Sequence, residues 1–365
     1  MNDRLPHGGP AATVVKRMTS TTAWTGAVAV LFMVVAACTS STRPDPRGSG
    51  AGTTWSELRT QPSPPPRSAG GFALHRVSGS VVLFGGVGPA ARDGYGSDDT
   101  WTWDGKAWVE QDPPTRPVGR NSQAMAEAPD GQVVMFGGCC DDGSGGGVHD
   151  GPLADTWTWD GRDWTDRQPA VRPDARVAAT VAYDGATRTD VLFGGSGIGG
   201  DLGDTWTWDG REWSRRSPPH SPPARSVAAM AYDVGTRRVV LFGGSGKGGY
   251  LGDTWTWDGR EWTRQSPATS PPARAFPTMS YDPALGRVVM MGGTSAAGYL
   301  NDTWTWDGRT WARLSSDSAP SNRASTAAAP NPGSESLVLF GGFSGEERLG
   351  DTWILGESGS QGKGQ

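Results

Sequence analysis

The stretch from Asp99 to Gly105 reads DTWTWDG, and the same seven residues return four more times along the chain. A shortened sixth copy, DTWILGE, begins at Asp351. The first two copies start 56 residues apart, and each later copy follows after 49. A phrase that returns at a near-constant interval indicates a repeat architecture, in which each copy belongs to one structural unit. The full copies begin at Asp99, Asp155, Asp204, Asp253 and Asp302.

Three further markers accompany each copy and divide the period into four segments of strand length. Segment A follows an arginine and is rich in small residues, whereas segment B is an apolar run that closes on Gly-Gly, as at Gly86. Segment C contains DTWTW, and segment D carries a lone tryptophan, as at Trp108. This tryptophan lies 12 residues before the arginine that opens the next segment A, which is Arg120 for Trp108. Four strands in a period near 50 residues are typical of β-propeller blades.

Counting the segments predicts an all-β, six-bladed propeller with four antiparallel strands in each blade. Segments A, B and C each occur six times after residue 66, but segment D occurs only five times there. The sixth D segment is TTWSEL around Trp55, so we expect the N-terminal strand to become the outer strand of the last blade. That closure removes an open sheet edge. Segment A is expected to be innermost, because small side chains relieve crowding near the axis.

The tryptophans of the repeated phrase are expected to build the blades. Asp-Gly suits a two-residue type I′ turn, which would set Trp103 opposite Lys106 and Trp101 opposite Trp108. The three indoles would then share one face and fill the gap between neighbouring blades. Stacking of sugars on these indoles is the alternative. The aspartates that open the phrase are expected to accept backbone hydrogen bonds where segment C begins.

These markers together resemble the kelch-repeat β-propeller family, and the resemblance covers about residues 53–355. In layout the chain looks most like exported bacterial kelch proteins, although DTWTW replaces the looser aromatic pattern usual in the family. The resemblance implies the propeller fold, but kelch propellers include adaptors, structural binders and a few enzymes. In some members of the family, arginines at the start of segment A contact acidic ligands, so the resemblance implies the same role for the arginines of this chain.

The N-terminal segment has the features of an export signal. Lys16 and Arg17 precede AWTGAVAVLFMVVAA, an apolar run of about 15 residues that is too short to span a bilayer comfortably. The run ends in VAAC, which resembles a bacterial lipobox with Cys38 as the lipidated residue. We therefore predict a signal peptide over residues 1–37, a flexible tether over 38–52 and a disordered tail over 356–365. An ordinary cleaved signal peptide and a short uncleaved anchor are the alternatives.

Charge and topology together predict the location and the kind of partner. Without residues 1–37 the chain loses three of 33 basic and one of 38 acidic side chains, which leaves a formal charge of −7. An acidic, exported protein is a poor candidate for nucleic-acid binding. We expect a monomer on the extracytoplasmic face of the cell membrane, held through a lipid on Cys38, with no cofactor and no nucleic-acid partner.

Candidate ligand-binding residues gather on one rim. Because strand direction alternates, the B–C and D–A connections emerge together on what we call the loop-bearing rim. Tyr95, Tyr250 and Tyr299 lie in B–C loops and are suited to stack a ligand or anchor a partner. The arginines that open segment A are expected to ring the channel mouth and grip carboxylates, or else to tie each blade to a neighbour's backbone carbonyls. They are Arg67, Arg120, Arg176, Arg225, Arg274 and Arg323.

The B–C loop of blade 2 is the longest, CCDDGSGGGVHDGPLA from Cys139 to Ala154. Cys139, Cys140 and His149 are weak candidates for metal ligands, because their spacing fits no recognised site. A redox-sensitive dithiol and an inert loop are the alternatives. Adjacent cysteines form a disulfide only in a strained ring, so the pair is no disulfide framework.

The sequence favours a non-catalytic binding scaffold over an enzyme. The expected ligand is an envelope protein, or an acidic or glycan ligand, at the loop-bearing rim. No set of residues for nucleophilic or acid–base catalysis stands out, and His75 ends an A segment on the opposite rim. The alternative is a carbohydrate-active or galactose-oxidase-like enzyme with an unrecognised site.

Overall fold

The computed structural model describes residues 52–89, 96–140, 151–316 and 318–357. Throughout these ranges the regular elements are β-strands. In the same ranges, no helix is long and apolar enough to cross a lipid bilayer. The first strand of the described residues is β1 (Thr53–Leu58), and six successive four-stranded sheets follow, which we number as blades 1 to 6.

The strands of the first three blades follow in chain order. Blade 1 contains β2 (Gly71–His75), β3 (Ser80–Phe84), β4 (Thr100–Trp103) and β5 (Trp108–Gln111). Blade 2 contains β6 (Ala124–Glu127), β7 (Val133–Phe136), the short pair β8 (Cys139–Cys140) and β9 (Gly151–Pro152), β10 (Thr156–Trp159) and β11 (Trp164–Asp166). Blade 3 contains β12 (Thr180–Asp184), β13 (Thr189–Phe193), the short pair β14 (Ser196–Gly197) and β15 (Gly200–Asp201), β16 (Thr205–Trp208) and β17 (Trp213–Arg216).

The remaining three blades repeat this order. Blade 4 contains β18 (Ala229–Asp233), β19 (Arg238–Phe242), the short pair β20 (Ser245–Gly246) and β21 (Gly249–Tyr250), β22 (Thr254–Trp257) and β23 (Trp262–Gln265). Blade 5 contains β24 (Thr278–Asp282), β25 (Arg287–Met291), the short pair β26 (Thr294–Ser295) and β27 (Gly298–Tyr299), β28 (Thr303–Trp306) and β29 (Trp311–Leu314). Blade 6 contains β30 (Ala327–Pro330), β31 (Leu337–Phe343) and β32 (Arg348–Glu357).

Each blade is built on a four-stranded antiparallel sheet, and the short pairs β8–β9, β14–β15, β20–β21 and β26–β27 form separate two-stranded sheets. Together the six blades form a β-propeller. The fourth strand of blade 6 is β1, which pairs with β32 from Thr53 opposite Glu357 to Leu58 opposite Thr352. The small-sided first strands β2, β6, β12, β18, β24 and β30 contact one another in succession, and β30 contacts β2. The six A segments are therefore innermost, as the sequence predicts.

The core consists of six clusters, one at each boundary between neighbouring blades. At the boundary of blades 6 and 1, Trp103 and Trp108 lie with ring centroids 5.3 Å apart, and Trp108 meets Phe340 of blade 6 edge-on at 5.0 Å. Aromatic burial on this scale makes a large apolar contribution to holding neighbouring blades together. The repeated indoles thus fill the gaps between blades.

The prediction of a two-residue turn at Asp-Gly is wrong. Trp103 pairs directly with Trp108, so the loop holds four residues, from Asp104 to Ala107. The Asp104 carboxylate accepts hydrogen bonds from the backbone amides of Lys106 and Ala107, both at 2.8 Å. An aspartate that bonds its own turn in this way needs only one residue at positive φ, and Gly105, at φ 99°, supplies it. The two indoles still share a face, because residues paired across strands point to the same side.

Candidate functional site

Each of the six arginines is buried in a bidentate ion pair with the aspartate that opens its blade's DTW phrase. In blade 4, Arg225 donates to the two carboxylate oxygens of Asp253 at 2.6 and 2.9 Å and to the carbonyl oxygen of Gly243 at 2.9 Å. The Arg225 side chain is 0% exposed. We call each such pair a clamp; the six are Arg67–Asp99, Arg120–Asp155, Arg176–Asp204, Arg225–Asp253, Arg274–Asp302 and Arg323–Asp351.

A clamp also joins two blades through the arginine's main chain. The Arg225 amide donates to the carbonyl oxygen of Leu202 at 3.0 Å, and the Arg225 carbonyl accepts from the amide of Gly195 at 2.9 Å. Leu202 and Gly195 belong to blade 3, whereas the Arg225 side chain reaches into blade 4. The same main-chain bonds recur at all six arginines, so each one bridges the blade before it and the blade that it enters.

We therefore correct the expectation that the six guanidinium groups face the channel mouth. They are at most 3% exposed, and none lines the channel. Arginine is suited to grip a carboxylate through paired hydrogen bonds, and here the carboxylate comes from the same chain. The alternative of a structural arginine that bonds backbone carbonyls matches this geometry.

The aspartates of the DTW phrases also differ from expectation, because their principal partners are side chains rather than backbone amides. Asp253 accepts from Arg225 and from the indole Nε1–H of Trp255, at 2.7 Å. Burial acts to raise the pKa of Asp253, but the hydrogen bonds from Arg225 and Trp255 and the charge of Arg225 outweigh it and hold this pKa below its usual value. The carboxylate therefore stays ionised and paired inside the fold.

The threonine of the DTW phrase connects each blade to the next. The lone Trp262 of blade 4 donates its indole N–H to the Thr205 hydroxyl of blade 3 at 2.9 Å. Five other pairs repeat this bond at 2.9 to 3.0 Å: Trp55–Thr303, Trp108–Thr352, Trp164–Thr100, Trp213–Thr156 and Trp311–Thr254. The opening aspartate, the first threonine and the first tryptophan of the phrase thus each have a structural hydrogen-bond partner, which favours architecture over sugar stacking.

A ring of main-chain hydrogen bonds encircles the channel mouth. One residue from each blade donates its amide to a carbonyl of the neighbouring blade, at 2.8 to 3.2 Å. All six have φ between 53° and 56°, although none is glycine. They are Ala69, Ser122, Ala178, Val227, Phe276 and Ser325. Cavities of about 140 and 180 Å³ lie at and below this ring, lined by small side chains and backbone. The ring's amides and carbonyls are already used, so side chains must supply any further recognition.

The loop-bearing rim carries short hairpins that project from the blades. In blade 3, β14 and β15 lift Ile198 to a hairpin tip, where it is 93% exposed. In blade 4, Tyr250 of β21 is 42% exposed, and Lys247 is exposed at the tip. Tyr299 of β27 is half-buried against Phe343. Of the exposed large apolar side chains, Val118, Val171, Ile198, Tyr250 and Phe276 belong to B–C or D–A connections.

Of the other predicted site residues, some lie outside the described ranges and others are part of a β-strand. Cys38, Tyr95 and His149 lie outside the described residues. Cys139 and Cys140 form β8, which pairs with β9. Within the described part of the chain, no group of three or more His, Cys, Asp or Glu residues is placed to hold a metal ion. Most of the blade 2 loop is not described, so the metal and dithiol hypotheses stay predictions.

His75 ends β2 on the rim opposite the loops and is 1% exposed. Its Nδ1 is bonded to the Ser78 hydroxyl at 2.6 Å. Burial lowers the pKa of His75, against the charges of Asp160 and Asp130. Its place in the A–B turn makes this histidine part of the blade's structure.

Sequence reasoning missed two features. Asp190 of β13 is 0% exposed, with neither carboxylate oxygen bonded, where blades 4 and 5 have Val239 and Val288. Burial, with smaller contributions from the charges of Glu127 and Asp130, raises the pKa of Asp190 well above its usual value. The second feature is a cluster of Phe276, Phe343 and Arg348 on the loop-bearing rim. In both, a residue departs from its counterparts in the other blades, and aligning the six repeats position by position would reveal that departure.

Comparison with known proteins supports the fold at the level of the repeat. Residues 191–358 match the family model described as the KLHDC2/KLHL20/DRC7 Kelch-repeats domain. A search of curated protein sequences finds no match to this chain. Among solved structures, the chain is similar to the protein titled "Structure of YjhT", with a TM-score of 0.61 and 17% identity over 80% of this chain and 95% of that one. The chain is thus a six-bladed β-propeller whose residues 191–358 are similar to a kelch-repeat domain.

Proposed function

We propose that this chain is a non-catalytic binding protein of the cell envelope, which holds a partner protein against the loop-bearing rim. The proposal rests on how the fold uses its residues. The repeated arginines, aspartates, threonines and tryptophans are committed to the blades and their boundaries. What varies from blade to blade lies in the connections of the loop-bearing rim, where binding residues usually gather on a rigid scaffold.

The exposed hairpin tips of blades 3 and 4 carry this proposal. Ile198 is 93% exposed and Tyr250 is 42% exposed on projecting hairpins. Burial of such large apolar side chains against a partner would be favourable in free energy. Lys247 lies between them in sequence and adds a positive charge at the tip of its hairpin. Aromatic and apolar anchors beside a cation suit a protein partner with an acidic segment. A glycan stacked on Tyr250 is the other ligand that this surface favours.

The lipid anchor belongs to the same proposal. The apolar run before Cys38 ends in VAAC, and a Ser-, Thr-, Gly- and Pro-rich tether follows it. Lipidation at Cys38 would hold the propeller close to the membrane, with the tether free to present its rim. Metabolic labelling with a clickable palmitate analogue tests this part: the native protein is labelled and the Cys38→Ala variant is not. Equal labelling of both forms would refute lipidation at Cys38.

A cross-linked pull-down from intact cells tests the partner. The native protein is compared with a double variant, Ile198→Asp with Tyr250→Ala, and with Val234→Asp. Val234 is 53% exposed in an A–B turn on the opposite rim of blade 4, so it serves as the matched control. An envelope protein that is recovered with the native and control forms but lost with the double variant supports the proposal. Equal recovery with all three forms would place binding elsewhere.

A further inference from the structure

A separate cavity of about 250 Å³ opens on the loop-bearing rim between blades 5, 6 and 1. Its walls include Phe276, Tyr299, Phe343 and Arg348, together with the polar residues Ser68, Thr294 and Ser325. The volume is slightly below the roughly 300–1,000 Å³ of pockets for drug-sized ligands. The cavity therefore suits a smaller molecule. It is distinct from the hairpin tips of blades 3 and 4, and a ligand could occupy it whether or not a protein partner binds those tips.

Phe276 breaks the symmetry of the ring at the channel mouth. The five equivalent positions carry alanine, serine or valine, whereas Phe276 is 39% exposed. A bulky residue at φ 56° is an outlier that strains the backbone. The hydrogen bonds of the ring use only the backbone of Phe276. Because its side chain is exposed, packing of the phenyl ring contributes little to stability. The aromatic ring is thus available to form one wall of the cavity.

Tyr299 and Phe343 form a second aromatic wall. Their ring centroids lie 5.8 Å apart at an interplanar angle of 79°, an edge-to-face arrangement. Gly345, at φ 102°, allows the blade 6 hairpin to approach the tyrosine, because a Cβ there would come within 2.8 Å of the Tyr299 ring. This close approach fixes the hairpin against the tyrosine.

Arg348 adds a positive charge to this aromatic cavity. Its guanidinium carbon lies over the Phe343 ring, 6.0 Å from the centroid. Unlike the six clamp arginines, Arg348 forms no ion pair with a carboxylate of the described residues. It is exposed, so its fork of donors is open to a ligand carboxylate. Glu346 and Glu347 precede it and are also exposed, so they reduce the attraction for an anion.

We infer that this cavity binds a small apolar carboxylate. The ring or chain of the ligand packs between Phe276 and the Tyr299–Phe343 wall, and the carboxylate receives paired hydrogen bonds from Arg348. The fold presents the same guanidinium–carboxylate geometry six times in its clamps, but in this cavity the carboxylate has to come from outside the chain.

Isothermal titration of the full chain with three apolar carboxylates tests the inference. The probes are phenylacetate, cyclohexanecarboxylate and indole-3-acetate, with phenylacetamide as the neutral match and acetate as the match without a ring. At least one apolar carboxylate is expected to bind, and its neutral or ringless counterpart at least about tenfold more weakly. Failure of all three to bind, or binding of phenylacetamide or acetate as tight as that of phenylacetate, would overturn the inference.

Four variants locate the binding. Arg348→Gln should weaken it about 10-fold to 100-fold through loss of the charged donor, and Phe276→Ser, which restores the residue of blades 2 and 6, should weaken it through loss of the aromatic wall. Glu347→Gln should strengthen binding, because a neighbouring negative charge is removed. Arg309→Gln, an exposed arginine on the opposite rim of blade 5, is the matched control and should change nothing. Equal affinity of the native, Arg348→Gln and Phe276→Ser forms would place the carboxylate elsewhere.

Discussion

Two buried aspartates in neighbouring blades show opposite ways of placing a carboxylate inside this propeller. Asp253 of blade 4 is held by Arg225 and Trp255, and its pKa lies below the usual value although burial acts to raise it. Asp190 of blade 3 is 0% exposed, neither of its oxygens has a partner, and burial raises its pKa well above the usual value. The partners of the first carboxylate favour its ionised form, whereas burial favours the protonated form of the second.

The difference between them shows that the partner, rather than burial, decides what a buried carboxylate does to stability. Desolvation disfavours the charged form at both positions, but only Asp253 has hydrogen bonds and an opposite charge to offset it. The repeat supplies that compensation six times, because arginine, aspartate and tryptophan recur together. Asp190 occupies the position that Val239 and Val288 occupy in blades 4 and 5. Because that position is apolar in those repeats, the repeat places no hydrogen-bond donor or cation beside it.

Breaking a clamp should have the largest effect on stability. Asp253→Asn removes the counter-charge of Arg225, whose side chain is 0% exposed, and leaves a buried cation without compensation. We expect a loss of about 3–5 kcal/mol in the free energy of unfolding, the range for removing one partner of a buried ion pair. Urea unfolding followed by tryptophan fluorescence measures it.

The same phrase provides the control for that experiment. Asp258 of DTWTWDG lies in the turn and accepts backbone hydrogen bonds from Arg260 and Glu261 at 2.9 and 3.0 Å, which asparagine can also accept. Asp258→Asn should change stability by no more than about 0.5 kcal/mol. If the two substitutions in this one blade destabilised equally, the clamp would have no special energetic role.

Restoring the repeat at position 190 should produce the next largest effect, with the opposite sign. Asp190→Val gives blade 3 the residue of blades 4 and 5 and removes two unbonded oxygens from the boundary with blade 2. We expect a gain of about 1–3 kcal/mol in the free energy of unfolding, since an unsatisfied buried polar group costs about that much. Thermal and urea unfolding of the two proteins measure it.

The reverse substitution sharpens that test. Val239→Asp places an unpartnered carboxyl at the equivalent position of blade 4, where Val239 is 0% exposed, and should destabilise by a similar or larger amount. A destabilising Asp190→Val would contradict the assignment of Asp190 as a carboxyl without a partner.

The sequence predicted the architecture well, because the propeller depends on features that repeat. Six copies of Gly-Gly, DTW and a lone tryptophan determine the number of blades and the order of the strands, and small residues mark the inner strand. The pattern did not predict the length of the Asp-Gly turn. The loop has four residues because the Asp104 carboxylate accepts hydrogen bonds from two backbone amides, and this depends on local geometry.

The candidate site was predicted less well, for a related reason. An arginine repeated six times looks the same in sequence whether it faces a channel or bonds an aspartate 28 to 35 residues further along the chain. Only the fold shows that this aspartate is the one that opens the DTW phrase. Residues that break the repeat, such as Phe276 and Asp190, are not part of the pattern that all the copies share, so only a position-by-position alignment of the repeats reveals them.

The pH dependence of stability should separate the two kinds of carboxylate. The raised pKa of Asp190 means that its favourable contribution is complete below its unfolded pKa, near 3.8, and is lost as pH rises towards the folded value. The advantage of Asp190→Val over the native protein should therefore grow as pH rises from about 4. The lowered pKa of Asp253 acts in the opposite direction, so the deficit of Asp253→Asn should shrink as pH falls below 3.8. Urea unfolding between pH 3 and pH 8 measures both differences, and two parallel curves would contradict the assigned directions.

The smallest expected effect comes from the neutral hydrogen bonds between blades. Thr205→Val keeps the shape of the side chain but removes the acceptor of the Trp262 indole N–H, which lies 2.9 Å from the Thr205 hydroxyl. We expect a loss of about 1 kcal/mol, since a single neutral hydrogen bond contributes about that much. Thr205→Ser keeps the hydroxyl and should keep the bond. The described part of the fold already contains four buried indole N–H groups without a partner, those of Trp159, Trp208, Trp257 and Trp306. A fifth should thus weaken the boundary between blades 3 and 4 without opening it, whereas a loss as large as that of Asp253→Asn would show that this bond, rather than the clamp, holds the two blades together.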